Sequence, residues 1–427
     1  MTIIEIHNLF LQSSGVVIDT RKIVLNSFFV ALKGDRFDAN AFANEALEKG
    51  ASFVIIDNKD YYINEKTILV EDSLVTLQQL AKYHRTYLNL KIIALTGSNG
   101  KTTTKELIQV VLAKKFRTKA TIGNLNNHIG VPLTLLSFDQ NTEIGIVEMG
   151  ANHQKEIEFL CEIAAPDYGY ITNFGKAHLE GFGGFEGVIK GKTEMYTYLR
   201  LNHKKVFLNM DDVIQNELSQ QIENVSFSTI NPNSDIFIKK VTANPLVSVC
   251  FNSTEVHSHL IGLYNANNIS AAITMGTYFG VSDGDIKNAI ESYVPENNRS
   301  QLLMKHSNEI ILDAYNANPS SMMVALENFL QLDKHNKVII IGDMFELGTQ
   351  SLVEHKLIVD YLRTMNGVDC FFIGNDFFSN RCDADNFSFY RDFDSFAAYV
   401  KQNMFVNKTI LIKGSRGMAL ERTLEFL

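Results

Sequence analysis

Residues 92–104 read Ile92-Ile93-Ala94-Leu95-Thr96-Gly97-Ser98-Asn99-Gly100-Lys101-Thr102-Thr103-Thr104. An apolar run stops at a glycine-rich turn and continues into a helix-compatible segment. This is the pattern of a phosphate cradle: a strand delivers the chain to a turn whose glycines let backbone N–H groups converge on phosphate oxygens. Lys101 can then reach the terminal phosphates, and the Thr102 hydroxyl can ligate Mg2+. The match to G-x-x-x-x-G-K-[ST] is partial, because Leu95 stands at the first glycine position. An ordinary glycine turn would explain Gly97 and Gly100 but not Lys-Thr at the mouth of a helix.

The chain around this stretch has 427 residues, 45% hydrophobic and 20% charged. At roughly 100 to 200 residues per domain, three domains are the natural division. No run approaches the roughly 18 apolar residues of a membrane span, and the N-terminus lacks a basic-then-apolar signal pattern, so a cytosolic protein is expected. Cys161, Cys250, Cys370 and Cys382 have no C-x-x-C spacing, so neither a zinc site nor a disulfide framework is indicated, and buried thiols are expected. A net charge of -9 argues against nucleic acid or an anionic membrane as partner. It leaves an anionic small substrate open, because local lysines, arginines and helix N-termini decide that.

Before the cradle, residues 1–88 mix short β-like runs with polar turns, densest at Asp19-Thr20-Arg21 and from Ser27 to Lys33-Gly34. Apolar spacing predicts helices over 41–49 and 73–87 and a buried strand over 51–57. Taken alone, Arg21 and Lys33 read as solvated charges. Beyond the cradle helix, predicted over 102–115, Asn124, Asn126 and Asn127 crowd a glycine-bracketed loop, which suggests hydrogen bonds to a polar ligand. A strand at 144–147 ends in Glu148, at the sheet edge where a Mg2+ ligand is needed. A further strand, 168–172, opens onto His178 at the same edge, a candidate second metal ligand or phosphate contact. In the helical stretch 185–199, Lys190 and Lys192 read by default as solvated. Helix capping explains one of Asn265, Asn267 and Asn268, not all three. From 299 onward, strand signals at 310–312, 338–341, 370–373 and 409–412 alternate with helical periods, predicting a parallel α/β sheet. Polar clusters follow three of these strands: residues 313–322, Gly342 to Gly348, and Lys413 to Gly417.

Together these motifs resemble the Mur ligases, ATP-dependent amide ligases that build the peptide of bacterial cell-wall precursors. The shared signature comprises residues 96–102, Glu148, Asn173 to His178, Lys192-Thr193-Glu194 and Asn265 to Asn268. Residues 313–319 with Met322, 342–348 and 413–418 resemble the branch that adds D-alanyl-D-alanine, as do 29–34 and 123–127. Thr-Gly-x-x-Gly-Lys-Thr is the cradle form these ligases use, so the missing first glycine agrees with the resemblance. Tyr264 differs from the family's usual histidine, and Thr20 from its usual serine.

The resemblance implies an α/β protein of three domains. These are a small α/β N-terminal domain over 1–88, a central P-loop parallel-sheet ATPase domain over 89–298, and a Rossmann-like α/β domain over 299–427. It implies that Asp19, Thr20, Arg21 and Lys33 hold the uridine diphosphate of a UDP-N-acetylmuramoyl-tripeptide, with Asn124, Asn126 and Asn127 lining its path. Gly97, Ser98, Asn99, Gly100, Lys101, Thr102 and Thr103 would cradle ATP. Asn265 and Asn268 would lie on the adenine side, and Arg299 and Asp313 would reach the nucleotide from the domain junction. Thr102, Glu148, His178 and a Lys192 carbamylated by CO2 would hold Mg2+, with Lys101, Lys192 and His178 as catalytic residues. Asn316, Asn318, Lys413, Ser415 and Arg416 would contact substrate in the third domain. The implied reaction makes an acyl phosphate that the amine of D-alanyl-D-alanine attacks, in a monomeric enzyme with no nucleic-acid partner and no membrane span. The third residue of the tripeptide, meso-diaminopimelate or L-lysine, stays open. A folylpolyglutamate synthase-like ligase would lack a comparable domain before the cradle. A non-ligase P-loop protein would leave residues 313–322 without a purpose.

Overall fold

Short β-branched and aromatic runs become parallel strands when helices can cover both faces of the sheet. The computed structural model, which describes residues 1–296 and 298–427, builds three such layers. In the first, strands Val16–Val17, Phe28–Val30, Phe53–Ile56 and Thr67–Leu69 lie parallel in that order. Alternation sends Phe28, Val30 and Ile55 into one core with Ile6 and Phe10, and Phe29, Val54 and Ile56 into another with Ala43 and Ala46. The helix predicted over 41–49 is a 3-10 turn, Ala39–Phe42, running into helix Ala43–Glu48.

Helix Ser73–Leu88 packs on helices Gly130–Leu136 and Glu156–Ala164 beneath the central sheet. In that sheet, strand Lys91–Thr96 lies between Tyr168–Ile171 and Ile144–Glu148, all parallel. Both neighbours come later in the chain and flank it on opposite sides, so the carboxyl edge opens a crevice at the cradle. Helices Lys101–Leu112 and Asn265–Tyr278 cover one face, while Gly130–Leu136, Glu156–Ala164 and Phe185–Leu201 lie on the other. The sheet continues through strands Lys205–Asn209 and Asn224–Ser228, then turns antiparallel through Ile236–Ala243, Leu246–Phe251 and Thr254–Ile261. These strands are absent from the sequence reading. The antiparallel ones are mostly buried on alternate residues, and Lys239, Lys240, His257 and His259 interrupt the apolar residues of the first and the last of them.

The third layer contains the expected strands as Asn308–Asp313, Lys337–Gly342, Val368–Ile373 and Thr409–Lys413. It also has an antiparallel edge strand, Gln301–Lys305, and a parallel one, Phe387–Tyr390. The expectation of a wholly parallel sheet is therefore corrected at one edge. Register sets Asp313 and Ile341 on either side of Lys413, so the three polar clusters share one edge. Cys161 and Cys370 are buried as expected, and Cys250 and Cys382 are half-buried. Among the described residues no helix is long and apolar enough to cross a membrane.

Helix Ile3–Phe10 is tied to helix Ser73–Leu88 by two buried histidines. The Nε2–H of His84 donates to the Phe138 carbonyl at 2.9 Å, so its Nδ1 must accept from His7 Nε2–H, also at 2.9 Å. Burial, reinforced by His84, pushes His7 down to about 4, and burial lowers His84 too. The unfolded chain protonates near pH 6.5, so this contribution is whole above about pH 6.5 and is lost as pH falls towards about 4. Thermal unfolding between about pH 7 and about pH 4.5 should show His7→Phe with a shallower acid loss than the parent, by on the order of 2 kcal/mol. Equal slopes would remove the histidine pair as the cause.

Candidate active site

The cradle is shaped by two glycines that no other residue could replace. Gly97 (φ +145°) and Gly100 (φ +77°) lie in the left-handed region. A Cβ on Gly97 would stand 1.9 Å from Thr172 Oγ1, and one on Gly100 2.7 Å from Asn268 Oδ1. The loop between them is pinned to the end of the adjacent strand. Thr172 Oγ1 donates to the Asn99 carbonyl (2.6 Å), Asn99 N–H donates to Asn173 Oδ1 (3.1 Å), and Ser98 N–H donates to the Asn173 carbonyl (3.1 Å). Ser98 Oγ and Gly175 exchange two bonds of 2.9 Å. The Ser98 side chain thus braces the turn, and Thr172, not singled out in the sequence, is the closest neighbour of Gly97.

Lys101 Nζ donates to the Gly97 carbonyl at 2.7 Å, curled over the turn where phosphate oxygens would compete for it. Burial lowers its pKa, Glu148 opposes that shift, and Arg299 adds to it. Thr102 is buried at the helix mouth, and Glu148 is only 2% exposed. Glu148 Oε1 accepts from Asn126 Nδ2 at 2.8 Å, while Oε2 is buried without a hydrogen-bond partner among the described residues. An unpartnered buried carboxylate oxygen lining the same cleft as Thr102 suits a hard divalent cation. Among the described residues no three His, Cys, Asp or Glu side chains converge on one point. Mg2+ is such a hard divalent cation, and it takes oxygen ligands from phosphates as well as from protein.

Lys192 overturns its default reading: it is 1% exposed, with Nζ 5.5 Å from the centre of the Phe182 ring. Burial first, and the Lys101 charge second, pull it well below the ordinary lysine range. Both causes disfavour the charged ammonium relative to the neutral amine.

From the third layer, Asp313 accepts from Ser300 N–H (3.2 Å) and pairs with buried Lys413, whose Nζ also donates to the Asn316 carbonyl (3.3 Å). The Arg299 guanidinium lies 3.5 Å from the centre of the Tyr315 ring, and its Nε is buried without a partner among the described residues. Asn318 Nδ2 donates to Asn99 Oδ1 at 2.7 Å, and Lys176 Nζ pairs with Glu354 at 2.6 Å. His178 Nδ1 is bonded to Glu346, which the sequence reading quoted without a role. These contacts dock the third layer over the cradle and enclose a cleft of about 1110 Å3.

The cleft brings together residues 98–103, Asn124, Asn126, Asn127, Glu148, His178, Asn265, Asn268, Arg299, Asp313, Asn316, Asn318 and Lys413. Several of their side chains also serve the fold. Thr104 Oγ1, Asn268, Asn265 and the Ile261 carbonyl form a buried chain of bonds of 3.0, 2.7 and 2.8 Å, and Asn127 caps helix Gly130–Leu136. Tyr264, in the position of the usual histidine, shares a 2.8 Å bond with Ser300. Ser415 and Arg416 lie off the cleft lining. Ser415 Oγ accepts from Phe345 N–H at 2.9 Å, and exposed Arg416 pairs with Glu421 at 2.7 Å. Asp19, Thr20, Arg21 and Lys33 also lie apart from the cleft. Asp19 pairs with Arg21 at 2.8 Å and Lys33 with Asp57 at 2.7 Å, all following strand ends of the first sheet.

Comparison with known proteins agrees with this geometry. Residues 95–276 match the Mur ligase middle domain, and residues 298–416 match the Mur ligase, glutamate ligase domain. The UDP-N-acetylmuramoyl-tripeptide--D-alanyl-D-alanine ligase of Bacillus subtilis (strain 168) is 34% identical, over 97% of this chain and 93% of its own length. A crystal structure of MurF from Acinetobacter baumannii superposes with a TM-score of 0.86 at 29% identity, covering 98% of this chain and 97% of that one. The MurF ligase of Thermotoga maritima in complex with ADP gives 0.85 at 26% identity, covering 98% and 97%. With its cradle, its docked third layer and full-length relatives of this kind, the chain belongs to the Mur ligase family.

Proposed function

We infer that this chain is an ATP-dependent ligase that joins D-alanyl-D-alanine to UDP-N-acetylmuramoyl-tripeptide through an acyl phosphate, in cytosolic peptidoglycan precursor synthesis. The observation that carries the reading is the single cleft between the cradle and the strand ends at Asp313 and Lys413. The first sheet, matched by relatives along nearly their whole length, favours this ligase over the folylpolyglutamate synthase-like alternative.

In this reading residues 1–88 hold the uridine diphosphate through Asp19, Thr20, Arg21 and Lys33, at the carboxyl edge of their sheet. Asn124 and Asn126 line the route of the tripeptide towards the cradle. A carboxylate oxygen of the tripeptide attacks the γ-phosphorus of ATP, and ADP leaves. The amine nitrogen of D-alanyl-D-alanine then attacks the acyl carbon, phosphate departs, and the amine loses a proton. The backbone amides of 97–102 and the Lys101 ammonium stabilise the charge moving through the phosphoryl group. Arg299 and Asp313 hold the nucleotide from the junction, and Asn316, Asn318, Lys413, Ser415 and Arg416 form or support the acceptor side. Docking of the third layer aligns the reactants and excludes water from the acyl phosphate. Thr102, Glu148, His178 and carbamylated Lys192 would hold Mg2+, which supplies positive charge to the phosphate oxygens when bound. For Lys192 the neutral amine adds to the CO2 carbon and releases a proton, turning a buried base into an anionic oxygen ligand. A monomer acting on soluble nucleotides completes the reading.

Phosphate release by the purified protein should require ATP, UDP-N-acetylmuramoyl-tripeptide and D-alanyl-D-alanine together, and release independent of either acceptor would refute the assignment. Tripeptides ending in meso-diaminopimelate or L-lysine, compared by kcat/KM, identify the natural third residue. Glu148→Gln should raise the Mg2+ concentration for half-maximal rate about 10- to 100-fold or more with an unchanged melting temperature. Depleting CO2 and bicarbonate should lower the parent's rate reversibly, and Lys192→Ala should lose about 100-fold or more and ignore bicarbonate. A parent rate indifferent to CO2 would exclude the carbamate.

A further inference from the structure

His178 and Glu346 meet across the junction between the central and third layers, and both backbones are in the left-handed region, at φ +53° and +63°. Non-glycine residues are uncommon there and are held only where the surroundings over-determine them. The surroundings of Glu346 do so. Met344 N–H donates to His355 Nε2 (2.9 Å), Phe345 N–H donates to Ser415 Oγ (2.9 Å), and the Glu346 carbonyl accepts from Glu180 N–H (3.4 Å). On the facing segment, Lys176 N–H donates to Ser320 Oγ (2.7 Å) and Lys176 Nζ pairs with Glu354, so the chain leading to His178 is also held against the third layer. A carboxylate only accepts, so its bond to Nδ1 leaves the proton on that nitrogen. In the neutral ring Nε2 then carries the free lone pair, and it has no protein partner among the described residues. Both residues line the cleft.

We propose that Glu346 is a positioning residue for His178: supplied by the third layer, it holds the ring as the Nδ1–H tautomer with Nε2 available to a ligand. The central layer's ligand set is then complete only while the third layer is docked over it. A carboxylate behind a metal-binding histidine fixes ring orientation and raises its basicity, and removing such a partner costs about 10- to 100-fold in affinity or rate. The inference rests on the reading of His178 as a metal ligand given above. It differs from the cradle's own bracing in that the controlling atom comes from another layer of the protein.

The test uses the full chain with Glu346→Gln, which keeps the size and removes the charge. Spectra of the protein carrying 15N-histidine, with the His178 signal assigned by its loss in His178→Ala, should show the Nδ1–H form in the parent and a mixture in Glu346→Gln. Mn2+ binding in the presence of ADP, followed by electron paramagnetic resonance, should weaken about 10- to 100-fold, with the melting temperature unchanged. The kcat should fall in parallel while KM for D-alanyl-D-alanine stays within about two-fold. In a His178→Ala background the Glu346→Gln change should cost nothing further. Additive costs, an unchanged His178 signal, or a Mn2+ loss matched by a fall in melting temperature would each overturn the proposal. A parent without ligase turnover would refute the functional reading, while the spectra and Mn2+ binding would still decide whether Glu346 controls His178.

Discussion

Everything at the centre of this protein depends on the contact between Gly97 and Thr172. A phosphate cradle works only if its amides already point outwards before the ligand arrives, because reorganising them at each turnover would raise the barrier. Here the turn cannot relax. Thr172 fills the space a side chain would need, Asn173 takes up the backbone of Ser98 and Asn99, and Ser98 closes on Gly175. The chain leaving strand Tyr168–Ile171 at Thr172 therefore acts as the mould of the loop that follows Thr96. The segment Asn173 to His178 is first a brace, and its ligand-facing role is built on that.

Charge is distributed around the mould in a way that burial makes consequential. Lys101 and Glu148 line one cleft and Lys192 is buried, so that Glu148 acts on Lys101 and Lys101 acts on Lys192. A fully buried lysine and a carboxylate oxygen with no partner among the described residues are costly features for a fold to keep unless something binds there. The asparagines work differently. Asn265 and Asn268 satisfy each other, Thr104 and the carbonyl at the end of strand Thr254–Ile261, locking two helices together beneath the nucleotide side. Their presence on the cleft wall follows from that lock.

Much of the site was legible because its chemistry is local. Gly97, Gly100, Lys101 and Thr102 sit within one turn, and Glu148 and His178 follow strands whose ends must lie at the same edge of a parallel sheet. The hidden parts depend on distant packing. Lys192 reads as a surface lysine because helical period alone does not say which face meets Phe182. Glu346 reads as turn composition because its partner is 168 residues away in sequence. The antiparallel strands between Ile236 and Ile261 escaped notice for a related reason: a sheet extension buried on one side has no continuous apolar signature.

By itself, then, the sequence determined the presence of a cradle, the order of strand and helix around it, the division into three units and the family they resemble. Backbone propensity, glycine conformation and short-range spacing are sufficient for those. Tertiary structure alone decided that Asp313, Lys413 and Ile341 stand side by side, that Ser415 braces a loop while Lys413 faces the cleft, and that the third layer supplies the atom bonded to His178. Strand order, register and domain docking are set by the mutual burial of surfaces far apart in the chain, and no local pattern encodes which distant surface will arrive.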